Sequence, residues 1–271
     1  MEKKTYKRVL SIAGSDPSGG AGIQADLKAF SACGCFGTTA IVAVVDENTV
    51  GVTGVHPVPV DFVKGQIDSV LSDIGSDAIK IGMLHSSELI RAVKETLDKY
   101  KIKNIVLDPV MVATSGDVLL LEEAISTLKT ELIPYVRIIT PNIPEAEILL
   151  GREIKHQEDL PAFAKELAQM YGVSVLLKAG HLTEDVLIDV FYNQETDEVV
   201  ELKSKRSDTV NTHGTGCTFS SALAAYLAHD LPMNEAVKKA KAYMVEAIER
   251  GAHYQIGKGH GPVHHFWNFW E

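Results

Sequence analysis

Cysteine is scarce in this chain of 271 residues, with only Cys33, Cys35 and Cys217. They are too few and too oddly spaced for a disulfide framework, which points to a reducing compartment. Positive charge is short as well. The 26 Lys+Arg against 36 Asp+Glu leave a formal net charge of −10, which argues against nucleic acid or an anionic membrane as a general partner. An anionic substrate stays open if a local cationic or dipolar site receives it. Long apolar runs are missing too. The opening MEKKTYKRVLSIAG ends its short apolar stretch in Gly-Ser-Asp-Pro, so it reads as neither signal peptide nor membrane span, and a cytoplasmic location is expected. No G-x-x-x-x-G-K-[ST] occurs, and no G-x-G-x-x-G opens a helix after a strand, which disfavours P-loop nucleotidases and dinucleotide folds. Linkers, low-complexity segments and internal repeats are lacking, so one domain over residues 1–271 is expected.

What is present is an alternation. Strand candidates are RVLSIAG (8–14), TAIVAVV (39–45), AIKIGM (78–83), NIVLDPVM (104–111), RIITP (137–141) and SVLLKAG (174–180). They read as continuous apolar runs, as strands covered on both faces do. Helical periodicity lies between them, over 60–73, 86–99 and 158–170, the last with Leu160, Phe163, Ala164, Leu167 and Ala168 on one face. LIDVFYN and EVVELKS around QETDE, within 187–203, predict an antiparallel edge hairpin, followed by helices near 215–229 and 233–250. The expected class is α/β: a three-layer α/β/α fold with a mostly parallel central sheet. Ligands in such sheets sit beyond the carboxyl ends of the strands. The residues there are Gly14-Ser15-Asp16, Asp46-Glu47-Asn48, Gly82-Met83, Asp108-Pro109, Pro141-Asn142 and Lys178-Ala179-Gly180.

Two glycine-rich segments could hold an anion. In AGSDPSGGAGIQADLKAF (13–30) small residues let backbone and ligand approach closely, and a helix starts near Ala21 or Gly22. Asp26 follows that start, and taken alone it could equally be a solvated helix residue beside Lys28. In HGTGCTFSSALAAYLA (213–228), Gly214 and Gly216 can turn successive N–H groups toward one point, at the positive end of the helix that follows. The plainer alternative is an ordinary helix start capped by Thr215 or Thr218.

AGSDPSGGAGIQADLK, IKIGML, VLDPVMVATSGD, TPNIPEAE, NTHGTGCTFSSALAA and GKGHGPVHHF, in order from about residue 8 to 266, resemble the signatures of the hydroxymethylpyrimidine/phosphomethylpyrimidine kinase family, within the ribokinase-like superfamily. The resemblance implies Mg2+ and ATP, leaves K+ open, and implies two phosphoryl transfers. The first goes to the hydroxymethyl group of 4-amino-5-hydroxymethyl-2-methylpyrimidine (HMP), the second to its monophosphate. It implies that Gly14, Asp26, Glu47, Met83, Val110 and Cys217 line the pyrimidine pocket, with the Gly214-Thr215-Gly216 turn beside Cys217. It assigns Asn142 and Lys178 to the nucleotide and Asp108 and Glu145 to the metal. It also carries over a homodimer. Asp108 and Glu145 are hard oxygen ligands suited to Mg2+, although Glu145 could instead be a first-turn carboxylate and Asn142 a turn or cap residue. Lys178 leaves an apolar strand, so a phosphate or carboxylate partner is expected. Pyridoxal, pyridoxine and pyridoxamine kinases share most of these motifs and are the alternative. A non-catalytic pyrimidine-binding protein is another, disfavoured by an intact Asp108, Glu145 and GTGC loop.

Two positions depart from the family pattern. Glu47 stands where glutamine is common, and an ionised carboxylate only accepts hydrogen bonds. It suits a 4-amino group, best with the adjacent ring nitrogen protonated, and suits the 3-hydroxyl of pyridoxal less. Thr114, in VATSGD, stands where lysine is frequent, so a phosphate-facing charge is absent from the expected Thr114-Ser115-Gly116 lid.

Cys217 lacks metal-ligand partners at usable spacing. A nucleophilic role has some motive, since a helix N-terminus lowers a thiol pKa and His213 lies near, but phosphoryl transfer needs no covalent step. The remaining reading puts Cys217 beside the attacking oxygen. A neutral thiol there tolerates a phosphate acceptor, whose second pKa is about 6, where an aspartate would repel it. The terminal GHGPVHHFW invites a metal reading for His260, His264 and His265. The preferred reading is a structural segment, with Phe266, Trp267, Phe269 and Trp270 on a helix packed against the body.

Overall fold

In the computed structural model, residues 3–111, 120–180, 182 and 184–270 are described. Eight strands form the main sheet: β1 (Arg8–Ala13), β2 (Phe36–Ile41), β5 (Ala78–Ile81), β6 (Ile105–Leu107), β7 (Ile138–Ile139), β8 (Ser174–Leu177), β9 (Val186–Asn193) and β10 (Glu198–Lys205). Their order is β10-β9-β8-β7-β6-β5-β1-β2. Pairing is parallel from β2 through β8, and β9 and β10 form the expected antiparallel edge hairpin.

Alternate strand residues feed two cores, which is why the strands read as unbroken apolar runs. Leu10, Ile12, Ile79, Ile81, Ile105, Leu107, Ile139, Val175 and Leu177 face one side. There they meet α2 (Val60–Asp73), α3 (Ser87–Asp98), α4 (Glu122–Thr127), α5 (Ile143–Leu150) and α6 (Leu160–Tyr171). Val9, Ala78, Val106, Ile138 and Leu176 face the other. There they meet α1 (Gly22–Ala32), α7 (Thr215–Ala228) and α8 (Met233–Gly251). Helix α7 is small and apolar almost all round because α1, α8 and the sheet enclose it.

Two expectations are corrected. The run 39–45 is not one strand. The chain leaves the sheet at Val42, whose N–H still bonds Ala13 O at 3.0 Å, and Ala43–Asn48 (β3) pairs instead with Gly51–Pro57 (β4) in a separate two-stranded ribbon. Asn48 closes its turn by accepting from Val50 N–H at 2.8 Å. The C-terminal aromatic segment is a series of turns, not a helix. Five residues cannot offset helix nucleation, so packing decides: Phe266 and Trp267 cover the second core, while Phe269 and Trp270 stay exposed. His264 and His265 are buried with separate partners, Trp270 O and Thr218 Oγ1.

The β3–β4 ribbon exposes Val44, Val50, Val52 and Val55, so little apolar burial fixes its tip. Residues 257–260 do that instead. Lys258 and Gly259 N–H donate to Thr49 Oγ1 at 3.2 Å, and His260 N–H donates to Thr49 O at 2.8 Å. A Cβ on Gly259 would sit 1.9 Å from Thr49 O, so only glycine permits the approach. Gly259→Val is expected to release the ribbon. Amide exchange over residues 44–56 should rise on the order of tenfold while β1 and β5 stay protected, as hydrogen-exchange mass spectrometry would read.

Candidate active site

The sheet reverses direction of growth beside β1, since β2 lies to one side and β5 to the other. A crevice therefore opens beyond the carboxyl ends of the strands there. Backbone bonds continue past the strand ends and hold the exiting residues in a row. Gly82 N–H donates to Ile12 O (2.9 Å), Asp108 N–H to Ile81 O (2.9 Å) and Lys178 N–H to Pro141 O (2.9 Å). Asn142 and Lys178 lie side by side across β7 and β8. The row Gly14, Met83, Asp108, Asn142, Lys178 is thus assembled by the parallel register.

The two glycine-rich segments meet over this row. Gly214 has φ 75°, and a Cβ there would fall 1.7 Å from Gly20 O. Thr215 opens α7 and Gly22 opens α1, so two helix N-termini converge, and Gly22 N–H faces the Cys217 thiol. Converging N-termini favour an anion. A Cβ on Gly216 would lie 3.3 Å from Asp108 Oδ2 and 3.4 Å from Lys178 Nζ, so glycine lets the helix start press onto that pair.

Asp108 is buried and accepts from Lys178 Nζ at 2.8 Å and Thr140 Oγ1 at 2.9 Å, both on Oδ1. Burial opposes its charge, but Lys178 and Lys80 outweigh burial and hold the carboxyl below its ordinary range. The carboxylate partner expected for Lys178 is therefore Asp108. Asn142 is the N-cap of α5 and forms a capping box with Glu145: each backbone N–H donates to the other's side chain at 2.9 Å. Both residues thus have a structural role, and Asn142 also stands in the row. Burial pushes the Glu145 carboxyl up to about 7, with Lys178 opposing and Asp108 adding to the rise.

The Cys217 thiol is pushed up to about 11 by burial, helped by Asp26 and Asp108 and opposed by Lys80. The lowering expected from the helix N-terminus does not prevail, so the thiol is neutral at pH 7. On the other side of the row, a Cβ on Gly14 would meet Met83 Cε and Val45 Cγ2 at 3.8 Å, so these three residues pack together. Val110 and Glu47 are partly exposed. Residues Thr114, Ser115 and Gly116 lie outside the described residues.

Asp26 is placed differently from the expectation. It is 0% exposed and accepts from Lys80 Nζ (2.9 and 3.0 Å), Ser11 Oγ (2.5 Å) and Ser221 Oγ (2.7 Å). It lies beneath the pocket surface and ties α1, α7, β1 and β5 together. Lys80 is the residue that sequence reasoning missed. It hides as one charge inside the apolar AIKIGM, and the only signal was that a lysine in a strand covered on both faces needs a buried partner. Burial opposes its charge, but Asp26, Cys217 and Asp108 raise its pKa above the usual lysine value.

Comparison with known proteins gives the family. The family model described as phosphomethylpyrimidine kinase matches residues 16–264. The chain belongs to the phosphomethylpyrimidine kinase family. It is 45% identical to the hydroxymethylpyrimidine/phosphomethylpyrimidine kinase of Salmonella typhimurium, over 96% of this chain and 98% of that one. It is also 45% identical to the thiamine biosynthesis bifunctional protein ThiED of Geobacter sulfurreducens, over 95% of this chain and 52% of that longer protein. Among solved structures, the pyridoxal kinase of Staphylococcus aureus in complex with AMP-PCP and pyridoxal matches with a TM-score of 0.87 at 34% identity, covering 98% of this chain and 96% of that one. The fold is thus ribokinase-like and the protein a phosphotransferase.

Among the described residues no helix is long and apolar enough to cross a membrane. Removing one member of a buried ion pair strands the other charge. Lys80→Met in this kinase is therefore expected to lower unfolding free energy by about 3–5 kcal/mol, read from urea denaturation. A loss under about 1 kcal/mol would mean that Asp26 is not held by this pair.

Proposed function

We propose that this kinase transfers a phosphoryl group from ATP first to the hydroxymethyl oxygen of HMP and then to the phosphate of HMP monophosphate, giving the diphosphate used in thiamine biosynthesis. One observation carries the reading of the site. The start of α7 puts Cys217 and the Gly214–Gly216 turn between an apolar pocket wall and the Asp108–Lys178 pair. The acceptor sits against Gly14, Met83 and Val110, with Glu47 facing its amino edge. The transferring phosphoryl group sits at the converging helix N-termini, where successive N–H groups stabilise the charge that develops on its oxygens.

Lys178 and Asn142 hold the nucleotide phosphates. Asp108 and Glu145 would hold Mg2+, a fit supported by two buried carboxyls whose ionisation a cation would favour. When bound, Mg2+ neutralises charge on the phosphoryl oxygens. The neutral Cys217 thiol neither repels the phosphate acceptor of the second step nor needs to accept its proton. ATP use follows from the kinase family. The protein works as one domain in the cytoplasm, and the homodimer that the family resemblance carries over is part of this reading.

Pyridoxal kinase activity is the competing reading, favoured by the structural likeness to such an enzyme. A coupled assay for ADP release with HMP, HMP monophosphate and pyridoxal in parallel decides between them. Turnover of both pyrimidines above pyridoxal is expected, exclusive turnover of pyridoxal reverses the reading, and no turnover would indicate a pyrimidine-binding protein. Cys217→Asp should depress the second phosphorylation more than the first, by about tenfold or more, because it puts a carboxylate beside an anionic acceptor. Equal loss in both steps would count against a role for thiol neutrality.

A further inference from the structure

None of the phosphoryl-transfer roles falls to the segment GKGHGPVHH, residues 257–265, yet it touches the site at one point after another. Its first residues hold the ribbon tip at Thr49. Gly261 O then accepts from His213 N–H at 3.0 Å, in the turn before α7. A Cβ on Gly20 would come within 3.1 Å of Pro262 Cβ. His265 Nε2 lies 3.0 Å from Thr218 Oγ1, in the first turn of α7. Helix α8 anchors this strap. Ala247 O accepts from His264 N–H at 2.9 Å, and Tyr243 OH donates to His265 O at 2.7 Å.

The Thr218 hydroxyl links the strap to the start of α7. It donates to Gly214 O at 2.8 Å, the same oxygen that accepts from Thr218 N–H at 2.9 Å. Back-bonding of a threonine hydroxyl to the carbonyl four residues earlier tends to bend a helix when nothing else holds the hydroxyl. The bond to His265 Nε2 holds it, and through it the Gly214 carbonyl. That carbonyl belongs to the peptide that opens α7, after a residue at φ 75°. Fixing it fixes the direction of the Gly216 and Cys217 N–H groups, which have no acceptor within their own helix. His265 is 4% exposed, and burial, with Lys28 and His264 adding, pushes its imidazole down to about 3. The ring is therefore neutral at pH 7, and its contribution is geometric. Burying a polar ring costs free energy unless it is bonded, so an apolar side chain would serve better if only space had to be filled.

We propose that His265 is a positioning residue for phosphoryl transfer: carried on the 257–265 strap, it acts through Thr218 and Gly214 to aim the first amides of α7. This rests on the reading above in which the start of α7 receives the transferring phosphoryl group. Donors aimed in advance at developing charge cost no reorganisation during the reaction. A small error in their aim is felt in the transition state more than in the bound ground state. His265 needs no contact with either substrate to have this effect.

The test is kcat and KM for ATP and for the acceptor turned over, HMP or pyridoxal. It compares the wild type with His265→Phe, His265→Gln, Thr218→Val and Thr218→Ser, urea denaturation confirming that each is folded. His265→Phe keeps a ring and removes the bond, and Thr218→Val keeps the shape and removes the hydroxyl. Each should lower kcat by about tenfold or more, with both KM values within about twofold of the wild type. His265→Gln, whose amide can bond from the Nε2 position, and Thr218→Ser, which keeps the hydroxyl, should recover most of the loss. The double variant His265→Phe/Thr218→Val should be no slower than the slower single one, because both cut the same chain of bonds. Wild-type kcat in His265→Phe, or a Thr218→Ser no faster than Thr218→Val, would overturn the inference. If His265→Phe fails to fold, Thr218→Val decides: wild-type kcat there overturns the inference, since every effect of His265 on α7 passes through that hydroxyl. A Cys217→Asp enzyme with wild-type rates in both phosphorylations would overturn the α7 reading itself. Loss in Cys217→Asp beside wild-type kcat in His265→Phe would overturn this inference alone.

Discussion

The contact between Gly20 and Gly214 is the constraint on which the site depends. No side chain fits between these backbones, since a Cβ on Gly214 would overlap Gly20 O at 1.7 Å. That approach points the first turns of α1 and α7 at one volume. It also seats His213 over Gly20 and lets Gly216 rest on Asp108 and Lys178. A helix N-terminus alone is a weak anion site; two of them, backed by a lysine, concentrate positive potential at the place proposed for the phosphoryl group. The glycines therefore act through what they leave out.

Charge placement follows the same economy in a protein with an acidic excess. Lys178 and Lys80 are the cations of the site, and each is tied to a carboxylate, Asp108 and Asp26 respectively. The two pairs differ in depth. Asp26–Lys80 is sealed, with both side chains 0% exposed, and Ser11 and Ser221 occupy the remaining acceptor capacity of Asp26. It works as a polar rivet between the sheet and the α1–α7 layer, and such a pair contributes specificity of packing more than net stability. Asp108–Lys178 sits at the surface of the crevice, where an incoming phosphate can compete for the lysine. Cys217 lies between the two pairs, and its burial keeps it uncharged.

Much of this was legible beforehand. The unbroken apolar runs marked strands covered on both faces, and two helical cores do cover them. The residues following those runs proved to be neighbours, because parallel strands bring all their carboxyl ends to one edge. The ribbon β3–β4 was not legible, because TAIVAVV carries no break at Val42; only the loss of a neighbouring strand beyond Ala13 makes the chain turn away. Lys80 was hidden for a related reason. A single charge in an apolar run looks like a strand-end residue until its partner, 54 positions away in the chain, is known. The aromatic C-terminus read as a helix because composition does not show that five residues are too few to nucleate one.

The α/β alternation, the glycine-rich turns, the motif set of the family and the residues proposed for phosphoryl transfer are all written along the chain, since these depend on local periodicity and residue chemistry. Which of them come together was set by packing in three dimensions. Asp26 went under the pocket, Glu47 swung in on a bulged ribbon, and Asp16 and His213, far apart in the chain, became partners. Pairing of buried charges depends on distance and dielectric, and neither is encoded in any short stretch of chain.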